Sequence, residues 1–312
     1  MDLPKPKIQF YKVRTFSEKM NVSFDFLREN LKPLLKFSFY LILPLCLVQS
    51  FFMSSFMRIY FGIVGSGPGG DAVTGALSAT INYGLLMACI MLGNILLSAL
   101  VYGLIQTYES RENRLSGLVL ADIRELLVKN GIKVTRVILL TFGAVFLSVA
   151  AILLPALVSP WTLMLTVPLF LFGLFAAAVP FTLLTPLYLF EDLSFTAALR
   201  KAMKYGFFAW GETFLVILVF GLLAGMISGV SAMPWYLVTV IGYFFSLADP
   251  ETAINSSAGY RFLTYLLGII QIYGAYVSNI LSLTGLAFHY FHLREKNEGI
   301  AMKADIVNFD RL

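Results

Sequence analysis

The sequence has little charge and few of the residues that usually perform chemistry. Only 13% of its 312 residues are charged, about half of the share in an ordinary soluble domain, which argues against a soluble globular fold. Cys46 and Cys89 both lie in apolar runs, so we interpret them as small buried side chains rather than a disulfide or metal pair. No carboxylate lies in the middle of an apolar segment, which argues against a proton- or sodium-coupled transporter.

Common enzyme motifs are also missing. HExxH and GxSxG do not occur, and the glycine-rich run GSGPGG, residues 65–70, precedes no strand–helix unit. We therefore interpret this run as an exposed loop rather than a phosphate-binding loop. We predict that the protein is not an enzyme and has no cofactor.

Long apolar runs make up most of the chain, which is 58% hydrophobic with a mean hydropathy of +0.80. One helical crossing of a bilayer takes about 20 apolar residues. Six segments meet this requirement: residues 37–64, 76–107, 137–158, 163–190, a fifth from Phe214, and 262–292. The fifth run continues past Pro234 to Leu247. Residues 234–247 could be a kinked extension of that helix or an interfacial segment, and both interpretations stay open.

Positive charge is concentrated in regions that alternate with pairs of spans. Of the 23 lysines and arginines, 21 lie in residues 1–36, 108–136, 192–213 or after 292. Only Arg58 and Arg261 lie elsewhere. The positive-inside rule then places both termini in the cytoplasm. In such a protein a net charge of +5 indicates contact with anionic lipid rather than with nucleic acid.

Each pair of spans follows an amphipathic segment in a basic region: residues 15–36, 114–131 and 192–214. In the first segment, Thr15 and Glu18 have the spacing of a capping box, and Pro33 is expected to break or kink the chain. Its apolar stripe consists of Met20, Phe24, Leu27 and Leu31. We predict that the second segment ends at Gly131 and the third just before Gly206.

The sequence therefore predicts an all-α integral membrane fold in which six transmembrane helices form three hairpins, each preceded by a cytoplasmic amphipathic interfacial helix. We expect one polytopic domain, with an N-terminal segment 1–36, a six-span bundle 37–292 and a cytoplasmic tail 293–312. The amphipathic helices are either elbows that orient the hairpins or a collar for a lipid or protein partner. The residues predicted to bind in a collar are Arg28, Arg124, Lys129, Arg200, Lys201 and Lys204.

The third amphipathic segment and the regions near both termini resemble a superfamily of bacterial six-span proteins. This group includes the membrane domain found beside some glycerophosphodiester phosphodiesterases and many stand-alone relatives. The resemblance rests on Glu191, Asp192, Ser194, Phe195, Ala198, Leu199, Arg200, Lys201, Trp210 and Phe214, on FSEKMNVSFDFLRENLKPLLK and on HYFHLREKNEG. It implies a fold and a location in the bacterial cytoplasmic (inner) membrane. It implies no reaction, because the phosphodiesterase domain is absent from this sequence and the stand-alone relatives have no activity to carry over.

Polar residues inside the spans are few. Asn94, Gln271 and Asn279 either bond neighbouring helices or line a pathway. His292 follows His289 at the i+3 position, and the two would need a further ligand, such as Glu191, Asp192 or Glu295, to bind a metal. We favour interfacial histidines over such a site.

Small residues form two ridges, Gly221–Gly225–Gly229 and Gly274–Ser278–Ser282, which could pack within the bundle or against a second copy. The leading hypothesis for function is a non-enzymatic envelope adaptor or assembly factor that engages lipids or other membrane proteins. The alternative is a facilitator or transporter of a small or lipidic solute. A metal-dependent enzyme using the two histidines is a third, less favoured hypothesis.

Overall fold

The computed structural model describes residues 6–65, 72–154, 159–248 and 257–300, which are mostly helical and contain no strand. The helices are α1 (Phe16–Gly65), α2 (Ala72–Ser110), α3 (Leu120–Leu153), α4 (Leu163–Thr182), α5 (Leu184–Phe190), α6 (Phe195–Phe208), α7 (Trp210–Ala248) and α8 (Ala258–Glu298). Most of the run GSGPGG and the tail after residue 300 lie outside the described residues.

Six helical stretches within the described ranges are long and apolar enough to cross a bilayer: Phe16–Met57, Thr74–Ser110, Leu120–Leu153, Leu163–Phe190, Trp210–Phe245 and Ala258–Glu298. Their outward-facing side chains are mainly large and apolar, as expected for helices surrounded by lipid. The prediction of an all-α, multi-pass membrane protein is confirmed.

The first amphipathic segment continues directly into the first span as α1. The expected distortion lies at Asn30, whose φ of −111° and ψ of 16° depart from helical values. Pro33 explains this position, because its ring clashes with the carbonyl of Glu29, the residue before Asn30, and it cannot donate a hydrogen bond to that carbonyl. The Asn30 amide group donates to the Phe26 carbonyl at 2.9 Å, so this carbonyl has a side-chain donor at the kink.

Two predicted helix ends are wrong. α3 runs through Gly131 without interruption, because one glycine inside a long helix costs only about 1 kcal/mol. α6 likewise runs past Gly206 to Phe208. Gly206 is instead a packing position, since a Cβ atom there would overlap the backbone of Pro180 in α4.

Proline has different effects in α7 and in the fourth span. α7 is a single helix of 39 residues that includes Pro234, so residues 234–247 extend the fifth span rather than forming a separate interfacial helix. Its length is about 58 Å, roughly twice the hydrocarbon thickness. The fourth span is divided at Leu183 into α4 and α5, between Pro180 and Pro186.

The chain forms two compact units that divide α1, α2, α7 and α8. Unit 1 contains Met1–Leu31, Ser98–Phe220 and Leu281–Leu312, and unit 2 contains Lys32–Leu97 and Gly221–Ile280. In unit 1, the non-helical segment before α1 is fixed by Phe10, which stacks on Phe288 at 5.5 Å between ring centroids. The Phe10 ring also packs edge-on against Tyr108 and Phe291. All three basic amphipathic segments begin in unit 1.

Candidate functional site

The N-terminal part of α1 packs on unit 1 through its more polar face. The buried side chains are Lys19, Ser23, Phe26 and Asn30, whereas Phe24 and Leu31 of the predicted apolar stripe are 43% and 49% exposed. The predicted capping box is present: the Thr15 N–H donates to Glu18 at 2.7 Å, and the Glu18 N–H donates to the Thr15 hydroxyl at 3.4 Å. The apolar stripe is therefore available to the acyl region of a membrane, as expected for an interfacial helix.

Five of the predicted collar residues have exposed basic side chains, and four of them, Arg28, Arg124, Arg200 and Lys204, lack the acidic contact that Lys129 makes with Asp192. We call these four the basic surface. None of them makes an ion pair with another residue in the described ranges. Their cationic groups are therefore available to an external anion.

Exposed apolar side chains share helical faces with the basic surface. On α6, Phe207 and Phe208 follow Lys204 by three and four residues and are 52% and 76% exposed. On α3, the exposed Val128 follows Arg124 by four residues. A face that combines cations with large apolar groups suits the boundary between headgroups and acyl chains better than bulk water.

Lys201 differs from the rest of the predicted collar, because it lies in an internal ion-pair network. Its ammonium donates to Glu191 at 2.6 Å and is also paired with Glu298. Tyr290 and Arg294 complete the surroundings of Glu191 at 2.9 Å and 3.4 Å. This network connects the start of the α5–α6 turn with the end of α8.

A second buried cluster joins the start of α1 to α7 and α8. Lys19 is 1% exposed and its ammonium is paired with the carboxylate of Glu212. His292 Nε2 lies 2.9 Å from the same carboxylate. Lys296 is a more distant cation, 3.6 Å from the other carboxylate oxygen. The charge pattern of the sequence did not identify Lys19 as buried or Glu212 as its partner.

Both histidines face partners within the protein. His292 Nδ1 accepts a hydrogen bond from the Arg14 backbone N–H at 3.0 Å, so its neutral ring carries the proton on Nε2. His289 lies between Lys19 at 3.4 Å and the Thr213 hydroxyl at 2.9 Å. Glu212 approaches His292, but no group of three His, Cys, Asp or Glu side chains is placed to hold a metal within the described ranges. The geometry therefore favours a structural role for the pair.

The residues predicted to line a pathway lie in unit 2, in three different surroundings. Asn94 donates to the carbonyl of Ile90 in its own helix at 2.9 Å, and Asn279 is half-buried. The amide oxygen of Gln271 is buried and accepts no hydrogen bond from a described residue. Gln49, which sequence reasoning missed, has the same property, although its amide nitrogen donates to Tyr276 at 2.8 Å.

The two small-residue ridges differ in environment. On α8, a Cβ atom at Gly274 would overlap Ser231 of α7, so this ridge packs inside unit 2. On α7, Gly221, Gly225 and Gly229 are exposed, and nothing lies within 4 Å of a Cβ added at any of them. The α7 ridge is therefore open to lipid or to another helix.

Comparisons with protein-family models, curated proteins and solved structures return no match to this chain. The resemblance to the phosphodiesterase-associated membrane domain accordingly stays a prediction.

Proposed function

We propose that this protein is a non-enzymatic adaptor of the bacterial inner membrane whose basic surface engages anionic lipid headgroups. The observation that carries the proposal is the exposure of Arg28, Arg124, Arg200 and Lys204 beside exposed apolar side chains. Each cation held near a charged membrane surface contributes on the order of 1 kcal/mol. In contrast, the buried Lys19 and the partly buried Lys201 are paired with carboxylates of the protein itself.

In this proposal both termini lie on the cytoplasmic side. The support is the distribution of Lys and Arg, because 21 of 23 lie in the four regions that such an orientation leaves inside. The cytoplasmic leaflet also carries anionic lipid, which complements the basic surface. A membrane-fixed cationic surface of this kind would concentrate anionic lipid around the bundle, or hold the bundle in register with other proteins that bind the same lipid.

The lipids that co-purify with the protein in a mild detergent test this proposal. We compare the wild type with a variant that carries Arg28→Gln, Arg124→Gln, Arg200→Gln and Lys204→Gln. Mass spectrometry should find a ratio of anionic to zwitterionic lipid that is at least about fivefold lower in the variant. Equal ratios at low salt would refute the proposal. As a control, purification from purely zwitterionic lipid should give the same amount of bound lipid for both proteins.

Unit 2 favours a second candidate function, the passage of a small or lipidic solute. Its support is the pair of buried amide oxygens in Gln49 and Gln271 that accept no hydrogen bond from a described residue. Such groups are costly inside a membrane unless water or a solute satisfies them. Stopped-flow swelling of proteoliposomes with glycerol as the test solute decides this. Swelling that is faster than in empty liposomes and slowed by Gln271→Leu supports the function, and equal rates reject it.

A further inference from the structure

A second group of cations lies on one face of α3, apart from the basic surface. Lys129, Lys133 and Arg136 follow one another at intervals of four and three residues, which places them on adjacent turns of the same face. We call these three residues the α3 stripe. Only Lys129 was among the residues predicted to bind a partner.

Tyr188 of α5 holds two members of the α3 stripe, Lys133 and Arg136, in place. The Lys133 ammonium donates to the Tyr188 backbone carbonyl at 3.0 Å and lies 5.2 Å from the centre of its ring. Arg136 donates from Nη1 to the Tyr188 hydroxyl at 2.8 Å. The Tyr188 carbonyl lies in the last turn of α5, where carbonyls lack helical donors, so Lys133 also caps that helix. Because Tyr188 is buried, both cations are held against a fixed support.

The stripe keeps unused donors despite these contacts. Arg136 is exposed, and Tyr188 accepts from only one of its N–H groups. The Lys129 side chain is 61% exposed and has one loose contact, 3.6 Å from Asp192. Among the described residues, Asp192 is the one carboxylate that forms ion pairs with the stripe. Its side chain is 87% exposed and can move away. Three cations and one carboxylate leave the stripe with a positive charge.

The depth of the stripe selects the kind of anion. Arg136 is the last charged residue of α3, and the apolar remainder of the helix to Leu153 spans about 26 Å, close to the hydrocarbon core of a bilayer. Leu139 and Leu140, one turn beyond Arg136, are exposed. An anion bound at Arg136 would therefore lie at the headgroup level, with acyl chains against the leucines.

We propose that the α3 stripe is a defined binding site for the phosphate of one anionic phospholipid, with Arg136 and Lys129 as its main donors and Tyr188 as its support. Arginine suits this role because its planar donors can grip two phosphate oxygens at once. The inference deepens the proposed function, because it names one specific site beside the general attraction of the basic surface. The site and the basic surface consist of different residues, so either proposal can fail without the other.

Native mass spectrometry of the full-length protein tests the site. The protein in detergent is titrated with phosphatidylglycerol or phosphatidylcholine, and the first bound lipid is counted. We expect Lys129→Gln with Arg136→Gln to weaken binding of the first phosphatidylglycerol by about 30-fold, with little effect on phosphatidylcholine. The matched control Lys32→Gln with Lys36→Gln removes the same charge from two exposed cations outside both the stripe and the basic surface, and should change binding of that first lipid by less than about threefold. Asp192→Asn, which removes the competing carboxylate, should strengthen it.

Three results would overturn the site. If the stripe variant and the control lose phosphatidylglycerol equally, the cations act only as a general charged surface, which leaves the proposed function intact. If the stripe variant loses no lipid, this site fails, and the four-residue variant described above still tests the basic surface separately. If inorganic phosphate alone competes as well as the lipid does, the site recognises free phosphate rather than a membrane lipid. Size-exclusion profiles that match the wild type ensure that lost binding does not reflect misfolding.

Discussion

Replacing Glu191 by glutamine tests whether the ion-pair network at Lys201 holds the end of α8. The Glu191 side chain is 6% exposed and accepts from Lys201 at 2.6 Å and Tyr290 at 2.9 Å. Removing one partner of a buried ion pair costs about 3–5 kcal/mol. Lys201 and Arg294 are 22% and 20% exposed and keep Glu298 as a partner, so we expect a smaller loss of about 2–3 kcal/mol.

The measurement is the midpoint of thermal unfolding in detergent, followed by size-exclusion chromatography of heated samples. With about 2–4 °C for each kcal/mol, Glu191→Gln should lower the midpoint by roughly 5–10 °C. The neighbouring Asp192 provides a matched control, because its side chain is 87% exposed and its cations lie at 3.5 Å and 3.6 Å. Asp192→Asn should change stability by less than about 0.5 kcal/mol.

Equal shifts for Glu191→Gln and Asp192→Asn would refute the reasoning, since burial would then make no difference. A second variant tests the cause. Adding Lys201→Met to Glu191→Gln should restore part of the lost stability, because it removes a partly buried cation that has lost one of its two anions. A further loss in the double variant would show that Lys201 stabilises the protein through other contacts.

Three further predictions concern unit 1. Glu212→Gln leaves the buried Lys19 without its anion and should cost about 3 kcal/mol in the same thermal assay; an unchanged midpoint would contradict this. Gly206→Ala should destabilise by about 1–3 kcal/mol, because its Cβ would overlap α4, whereas Gly131→Ala, in an open helical position, should stabilise by up to about 1 kcal/mol. Burial raises the pKa of Tyr11 to about 12, so the unfolded chain ionises first and stability should fall as pH rises from about 10. Tyr11→Phe should lack this part of the fall.

The positions of the spans could be predicted from the sequence because lipid imposes a simple rule. A segment of about 20 apolar residues must form a helix in hydrocarbon, and this rule identified all six stretches. The ends of the helices could be predicted less well from the sequence. Glycine often ends a helix, but at Gly131 the helix α3 simply continues. At Gly206 in α6, close packing against Pro180 of α4 requires a glycine inside the helix.

The partners of charged residues were beyond prediction, because they depend on which helices meet. The sequence analysis placed Lys201 among the surface cations, with Arg28 and Arg200, and nothing in the sequence indicated that Lys19 is buried. In the structure, Lys19 pairs with Glu212 from a distant part of the chain, and Lys201 pairs with Glu191, which lies ten residues before it across the α5–α6 turn. The exposed cations could be predicted better, since helical spacing alone separates Arg124 and Lys204 from the buried face.

The sidedness of the basic helices is the point on which the proposed function most depends. An impermeant thiol reagent applied to inside-out and right-side-out membrane vesicles measures it, with Arg124→Cys and Lys204→Cys introduced singly into a chain that lacks Cys46 and Cys89. We predict that both positions react only in inside-out vesicles, where the cytoplasmic face is outside. Reaction of the two positions from opposite sides, or of either from the external side, would contradict a basic surface that faces cytoplasmic anionic lipid.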